Sequence, residues 1–577
     1  MTTTPTPKAP ELSPSLLARA ERWMPGLRVA RTYKTGWLPS DLVAGVVLSA
    51  LLVPQGMAYA ELAGLPAITG LYATVICLLA YALFGPSPYL VLGPDSSLGP
   101  MIAAAILPLA AGNETYAIAL AGMLALMVGV LCVGAGAARL GFVADLISKP
   151  VRIGYLAGLA VTIFVGQLPK LFGFSVDADG LIREFAAVLS NLELTNPWTL
   201  LVGLLTLLIL LGLRRVAPRL PGVLFAVVSA IAVTVLLDLT SKGVAVVGVL
   251  PQGFPAPSFP AVDLADLSLL AATAVGMSLL AIGDTISTST GFAARRGDEV
   301  DGNQELVGIG AANLLAGLFQ GFPISTSGSR TAVAEQSGAK TQLTGVVAAL
   351  AVLAMLLFLP GLVRNLPQSA LAAIIIAASL SLFDWAALRR LWVVRREEFV
   401  LALAAILGVA LVGVLEGIVI AVVLSIIQFF NRAWQPHYAI MGKTTQVAGY
   451  HDVQRYPDAQ RIPGLLMLRW DAPLFFANAN IFRKVIREQV AASTSAPFWV
   501  LIAAEPITDV DSTAADMLVD LDEELNQAGI HLIIAELKDH VREKIERYGL
   551  LDTIDNRHFY PTIEVAVEEF HHEASRR

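Results

Sequence analysis

Between Asp41 and Ala433 the chain passes from one apolar stretch to the next almost without pause, and hydrocarbon allows few ways of folding such a sequence. Inside a bilayer every backbone N–H and C=O needs a partner. A spanning segment is therefore a helix, and broken backbone survives only where it is buried in protein or lines a cavity. Two breaks fall inside this apolar region. Gly93-Pro94-Asp95-Ser96-Ser97-Leu98-Gly99-Pro100 interrupts apolar sequence that runs from Leu71 to Ala111. Phe322-Pro323-Ile324-Ser325-Thr326-Ser327-Gly328-Ser329-Arg330 does the same in the second half. Their prolines and glycines forbid one continuous helix, and their hydroxyls stand just before a new helix starts. A helix that begins in mid-membrane turns free N–H groups and the positive end of its dipole toward whatever lies ahead, which favours an anion. Two interrupted segments at matching places in two halves are the sequence mark of a transporter's binding site.

The apolar runs predict segments at 41–58, 65–84, 98–111, 116–134, 151–172, 198–213 and 220–238. After the Pro-rich stretch Pro251 to Pro260 come 268–286, 305–320, 329–336, 342–360, 368–383, 398–412 and 415–432. Several fall short of the roughly 20 residues of a full span, and the two shortest follow the two breaks. Charge placement tests this count. With the N-terminus inside, the even loops should be basic, and they hold Arg139, Lys149 and Arg152; Arg214, Arg215 and Arg219; Arg295 and Arg296; Lys340; and Arg389, Arg390, Arg395 and Arg396. The opposite loops are poor in basic residues, and 173–196 is acidic with Asp177, Asp179, Glu184 and Glu193. Fourteen segments with both ends in the cytosol satisfy the positive-inside rule throughout. The interval from Pro54 to Pro94 nearly equals that from Asp284 to Pro323, and seven segments per half would set the halves in opposite orientation, an inverted repeat over 41–238 and 268–432.

Residues 1–40 read as a cytosolic leader carrying Lys8, Arg19, Arg22, Arg28, Arg31 and Lys34, with no signal-peptide pattern. Ser15 to Met24 is either a short interfacial helix or a solvated tail. A composition of 56% hydrophobic and 15% charged residues excludes a soluble globular protein, while the net charge of -7 says little about partners. Cys77 and Cys132 lie in apolar runs as buried hydrophobes, so neither a disulfide nor a metal site is expected. All seven histidines follow the last apolar run. The membrane region thus has no histidine ligand and no nucleophile–base pair, which counts against an enzyme. No cofactor or nucleic-acid partner is expected beyond a coupling H⁺ or Na⁺.

After Trp434 the composition changes. With 434–460 as a linker, 461–577 reads as a small α/β domain: strands at Gly464–Trp470, Phe498–Ala504 and Ile530–Leu537, helices at Ile481–Gln489, Ser512–Asn526 and Lys538–Tyr548.

The motifs are specific enough to place the chain beside a family. Pro54-Gln55-Gly56-Met57-Ala58-Tyr59-Ala60, with Leu62-Ala63-Gly64-Leu65-Pro66 and Gly70-Leu71-Tyr72, resembles the signature of the sulfate permease (SulP) family, to which the mammalian anion exchangers and prestin belong. Gly93-Pro94, Asn303-Gln304-Glu305-Leu306, Ser329-Arg330-Thr331-Ala332-Val333 and Gly338-Ala339-Lys340-Thr341 resemble further motifs of that family. Leu474-Phe475-Phe476-Ala477-Asn478-Ala479 and Asp509-Val510-Asp511-Ser512-Thr513 resemble its C-terminal STAS domain. The resemblance implies a polytopic α-helical membrane protein with fourteen segments in a seven-plus-seven inverted repeat. Segments 1–4 and 8–11 would form a core, 5–7 and 12–14 a gate, and a cytosolic α/β STAS domain would follow. It also implies a homodimer working by elevator-like motion. The anion would lie between the starts of segments 3 and 10, with Ser96 and Ser97 facing Ser329 and Arg330, and Ser327 and Gly328 at the second break. Gln55 and Tyr59 would flank it.

Two positions depart from the family pattern. Asp95 puts a carboxylate where the family is often neutral, and Asp284 replaces a segment-8 glutamate. Both are coupling-ion candidates, against the plainer readings of a structural ion pair or helix cap. Arg330 is either a substrate clamp or a counter-ion to Asp95 or Asp284. Of Ser325, Thr326, Ser327 and Ser329, two are expected to line the site while the others bond to helix carbonyls. Glu61 should be solvated in an outer loop, and Gly122, Gly129, Gly134 and Gly136 should mark close helix packing. Ser512 reads as an N-cap or a regulatory phosphosite. The expected protein is a secondary active transporter of a small anion in the plasma (inner) membrane, with sulfate the leading substrate. Bicarbonate and C4-dicarboxylates are rivals for the same site. An anion channel and a membrane sensor that signals through its STAS domain are the competing classes, and a cytosolic protein bound to the STAS domain is a candidate partner.

Overall fold

The computed structural model describes residues 21, 23–141, 148–176, 180–217, 221–294, 297, 299–444 and 446–576. Most of the expected 15–24 helix, and Lys8, Arg19, Arg22, Asp177, Asp179, Arg219, Arg295 and Arg296, lie outside these residues. The chain divides into two units, Met1–Ser425 and Ile426–Arg577.

Among the described residues, fourteen helices stand at the expected segments. They are α1 (Leu38–Leu62), α2 (Ala67–Phe84), α3 (Gly99–Ala110), α4 (Glu114–Ala137), α5 (Lys149–Phe172), α6 (Pro197–Val216), α7 (Gly222–Leu236), α8 (Leu264–Ala294), α9 (Gly302–Leu318), α10 (Gly328–Gln336), α11 (Leu343–Phe358), α12 (Gln368–Leu382), α13 (Arg396–Leu407) and α14 (Val414–Trp434). By length and composition α1, α2, α4, α5, α6 and α8 can each cross a membrane, as can α12 with the helix Trp385–Val394 that follows it. α3, α7 and α11 are shorter and apolar. Local chemistry sets the starts: Asn113, Asn196 and Asp301 accept hydrogen bonds from the first turns of α4, α6 and α9.

The extensive packing of the first unit falls within two groups. α1–α4 pack with α8, α9 and α11, and α5 and α6 pack with α7, α12 and α13, while α1 also touches α7 and α12 across the seam. The most extensive contact is α4 on α9. A Cβ at Gly129 would lie 2.8 Å from the Gly310 oxygen, and one at Gly317 would lie 2.5 Å from the Gly122 oxygen. Gly136 is equally tight against Asn303, so three of the four glycines mark close packing, whereas Gly134 faces open space.

Asp41 ties the two halves together. Its wholly buried carboxylate accepts from the backbone N–H of Lys340 (2.7 Å) and Thr341 (3.1 Å), from the hydroxyls of Thr341 (2.8 Å) and Thr344 (3.0 Å), and from Tyr33 Oη (3.1 Å). An acid in the first turn of α1 thus caps α11 as well. Asp41→Ala leaves these donors unpaired and should destabilise the fold by on the order of 3 kcal/mol, read as a lower melting temperature in detergent. Asp41→Asn, which keeps an acceptor, should lose less.

The second unit holds a six-stranded sheet in the order β4-β3-β5-β6-β7-β8, with β3 (Tyr438–Lys443), β4 (Tyr450–Asp452), β5 (Leu465–Trp470), β6 (Trp499–Ala503), β7 (His531–Ala535) and β8 (Phe559–Tyr560). β5 to β8 are parallel, and β3 runs antiparallel to both neighbours. The alternation along β5 and β6 sends Leu466, Leu468, Val500 and Ile502 to one face. There they meet α15 (Ala479–Ala491), α16 (Ser512–Gln527) and α17 (Asp539–Arg547). Leu465, Met467, Trp499 and Leu501 go to the other face, under α18 (Ile563–Ala574). The stretch 434–460, expected as a linker, therefore contributes two strands to the sheet. Its short strands, parted by Thr444–Gly449, lack the long apolar run that signals a strand in sequence.

Asp511, not Ser512, caps α16: its carboxylate accepts from the Ala514 and Phe476 N–H groups at 2.8 Å each, leaving Ser512 exposed at the first helical position. Behind the sheet, half-buried His558 lies 5.3 Å from His531 between ring centres, and its Nδ1 has no partner among the described residues. Burial, and then the His531 charge, push the His558 pKa below its usual 6.5. The unfolded chain then binds the extra proton more readily, so this contribution is complete above about pH 6.5 and is lost as pH falls toward the folded pKa. His558→Gln should flatten this part of the pH dependence in thermal unfolding of the full chain.

Candidate functional site

The two breaks meet in the first unit. β1 (Leu92–Gly93) pairs antiparallel with β2 (Ser325–Thr326), with Leu92 opposite Thr326 and Gly93 opposite Ser325. Other backbone groups of the breaks find partners in side chains and in each other. Val91 N–H donates to Thr331 Oγ1 (3.1 Å), and the Ser327 N–H donates to the Val91 carbonyl (3.3 Å). Asn313, buried in α9, accepts from the Ile324 N–H (2.9 Å) and donates to the Ile324 carbonyl (3.2 Å). Gln342 donates to the Ser87 and Leu90 carbonyls at 2.7 and 3.0 Å. Non-helical backbone is tolerated because each half supplies what the other lacks.

Arg330 closes this crossing. It belongs to α10, and its side chain is 1% exposed. One Nη donates to the Pro94 carbonyl, and Nη2 donates to that of Gly93 (3.3 Å) and lies 3.6 Å from Asp95 Oδ2. A Cβ at Gly93 would stand 3.0 Å from Nη1, so any side chain there would push the guanidinium aside by a few tenths of an ångström. Asp95 in turn accepts from the Ser97 N–H (3.0 Å) and hydroxyl (2.7 Å) through Oδ1, and so caps the turn that leads into α3.

In front lies a cavity of about 610 Å³. Gln55 and Tyr59 of α1, Asp95, Ser96, Ser97, Asp284 of α8, Ser327, Gly328 and Ser329 all line it. Every residue predicted for the site is there except Arg330, which is turned into the protein as the counter-ion of Asp95. Thr326 also lines the cavity and Ser325 does not, so three of the four hydroxyl residues face it rather than two. The start of α10 is the open one. Gly328 and Ser329 are exposed, and a Cβ at Gly328 would meet nothing within 4 Å. Ser327 Oγ caps the Arg330 N–H at 3.5 Å and touches Ser329 Oγ at 3.0 Å. The first N–H groups of α10 are left for a ligand. Asp284 is half-buried, with no hydrogen bond or ion pair among the described residues. The opposite wall comes from the other helix group, including Leu210, Val223, Ile374 and Ala378. The cavity continues to Arg214, Pro221, Ser381 and Leu382, at the helix ends that charge assigns to the cytosol.

Sequence reading missed Asp41, Asn313, Gln342 and the place of Arg214 at the mouth. The signal for Asn313 was a lone amide within an apolar run close to a break. For Arg214 the sequence offers only its place in a basic loop.

These features define an integral membrane protein with a polar half-channel ending on two broken helices. The model of the sulfate permease family matches residues 38–405, and that of the STAS domain matches 456–566. A Mycobacterium tuberculosis protein named a probable sulfate transporter is 40% identical over 548 residues, covering 95% of this chain and 98% of its own. The chloroplastic sulfate transporter 4.1 of Arabidopsis thaliana is 30% identical, covering 94% and 82%. The chain belongs to the sulfate permease family, and is a membrane transport protein rather than an enzyme. In fold it matches murine solute carrier 26 family member A9, an anion transporter in the inward-facing state (TM-score 0.87, 23% identity, 97% and 96% of the two chains). It also matches the transmembrane domain of a cyanobacterial bicarbonate transporter (TM-score 0.60, 24% identity, 68% and 98%).

Arg330→Lys keeps the charge but loses the fork that holds two carbonyls, and a single ammonium cannot span them with Asp95 as well. It should lower the melting temperature of the detergent-solubilised protein, and Gly93→Ala, which crowds the same guanidinium, should do so too. Ser329→Ala, at the open cavity wall, should leave it nearly unchanged.

Proposed function

We propose that this protein is a secondary active transporter of a small anion, with sulfate the leading substrate, coupled to H⁺ or Na⁺ and working by elevator-like alternating access. The observation that carries the reading is the open N-terminus of α10 at the blind end of the cavity, where Gly328, Ser329 and Ser327 present N–H and hydroxyl donors to an anion. Gln55, Tyr59, Ser96 and Ser97 complete the wall around it. Arg330 contributes its positive field from behind, and it holds the α10 start in place. The names of the relatives favour sulfate, and the bicarbonate transporter among the similar folds keeps bicarbonate as the rival substrate.

Apart from Leu51, Gln55 and Tyr59 of α1, the cavity's lining residues come from the mid-membrane breaks and from the helix halves on the cytosolic side by charge. A cavity that stops at the breaks suits alternating access better than a channel. Two carboxylates beside an anion site suit cation coupling. Asp284 is the stronger coupling candidate because it lacks the capping bonds and arginine that occupy Asp95. A divalent anion entering against an inside-negative potential needs such a driving ion. We further place both termini in the cytoplasm of the inner membrane, with a homodimer as the working form. Ser512 would be the regulatory phosphosite of the STAS domain, because it is exposed at a helix start where added negative charge is tolerated.

Uptake of labelled sulfate into proteoliposomes, with and without inward H⁺ or Na⁺ gradients and competed by bicarbonate, fumarate and chloride, tests the reading. Saturable, gradient-stimulated uptake is expected. Asp284→Asn should abolish the stimulation while sulfate–sulfate exchange persists. Asp95→Asn keeps an acceptor for Ser97 and removes a negative charge, so it should tighten sulfate binding several-fold in equilibrium titration. Bicarbonate uptake without sulfate uptake would change the substrate, and no uptake under any gradient would favour the sensor.

A further inference from the structure

Glu61 was expected to be solvated, but its side chain is only 14% exposed, and Oε2 lies 3.6 Å from Lys170 Nζ. The two residues belong to different helix groups. Glu61 is in the last turn of α1, and Lys170 is in the last turn of α5. Both helix ends face the outer side by charge, opposite the mouth at Arg214 and Leu382. Glu61 follows Tyr59, a cavity-lining residue, by two positions, about 3 Å along α1. The pair therefore stands just behind the blind end of the cavity. A carboxylate at a helix C-terminus is unfavourable beside the negative end of the dipole, so α1 gains from a cation there. A second observation comes from the same end of α5. Gln167, one turn before Lys170, is buried, and its Oε1 has no partner among the described residues. An unpaired amide oxygen is costly in a permanently dry seam and costs little in one that is hydrated in another state.

We infer that the Glu61–Lys170 ion pair is an outer latch that positions α1 against α5, holds the cavity closed on the outer side, and opens when the binding site turns outward. This rests on the alternating-access reading above. The pair sets the ratio of inward-open to outward-open protein without touching the anion.

The test uses the full chain in lipid nanodiscs, where both faces are accessible. Gln167→Cys serves as reporter, since Cys77 and Cys132 are buried. Its labelling by a membrane-impermeant maleimide should quicken about two- to fivefold when Glu61→Gln or Lys170→Gln is added, the range a partly exposed ion pair supports. The charge swap, Glu61→Lys with Lys170→Glu, should return the rate toward that of the reporter alone. Unchanged labelling in both single variants, or a swap no slower than the singles, would overturn the latch. The readout needs no substrate. Faster labelling with no anion uptake under any gradient would sink the transport reading and leave the ion pair as the closure of this seam. Sulfate uptake with unchanged labelling would sink the latch alone.

Discussion

The structure depends on the way two broken segments satisfy one another in the middle of a membrane. Neither Gly93–Pro100 nor Phe322–Arg330 could stand alone in hydrocarbon, because each leaves carbonyls and N–H groups without helical partners. Pairing β1 with β2 settles part of the debt, and the guanidinium of Arg330 answers the Gly93 and Pro94 carbonyls that remain. An arginine is the side chain suited to this, since its planar fork holds two acceptors and its charge persists when buried. Its position also decides what the cavity can offer. A guanidinium spent on backbone carbonyls and on Asp95 contributes field rather than contact.

That arrangement makes the two helix starts unequal. The approach to α3 is answered internally, because the Asp95 carboxylate takes the Ser97 N–H and hydroxyl. The start of α10 is capped only by a serine hydroxyl and opens onto empty space at Gly328. An approximate symmetry of sequence thus yields one occupied and one open donor cluster. Of the two cavity carboxylates, the one without a hydrogen bond among the described residues is Asp284, on α8.

Around the crossing, polar side chains in apolar helices do structural work over long sequence distances. Asp41 reaches the start of α11, Tyr81 donates to the buried Glu305 at 2.5 Å, and Asn313 and Gln342 hold loop backbone. Asp41, Tyr81 and Gln342 join residues far apart in the chain, Asn313 joins α9 to the nearby second break, and each leaves a group unpaired if one partner is lost. Glycine contacts between α4 and α9 bring their backbones close enough for dispersion to hold them where burial from water cannot.

The sequence alone determined the class, the fourteen helical positions, the two breaks and most of the cavity wall. Hydrophobic run length, proline, glycine and charge placement are local signals, and the bilayer makes them strict. The motif Pro54–Ala60 and the breaks named Gln55, Tyr59, Ser96, Ser97, Ser327, Gly328 and Ser329 before any distance was known. Only the tertiary structure decided which way Arg330 points, that the Asp95 carboxylate is hydrogen-bonded and the Asp284 one is not, and that Glu61 meets Lys170. Side-chain direction and pairing across the chain depend on how helices pack, and a one-dimensional pattern carries no record of that. The same limit hid β3 and β4, whose short strands are held by the sheet beside them rather than by their own composition.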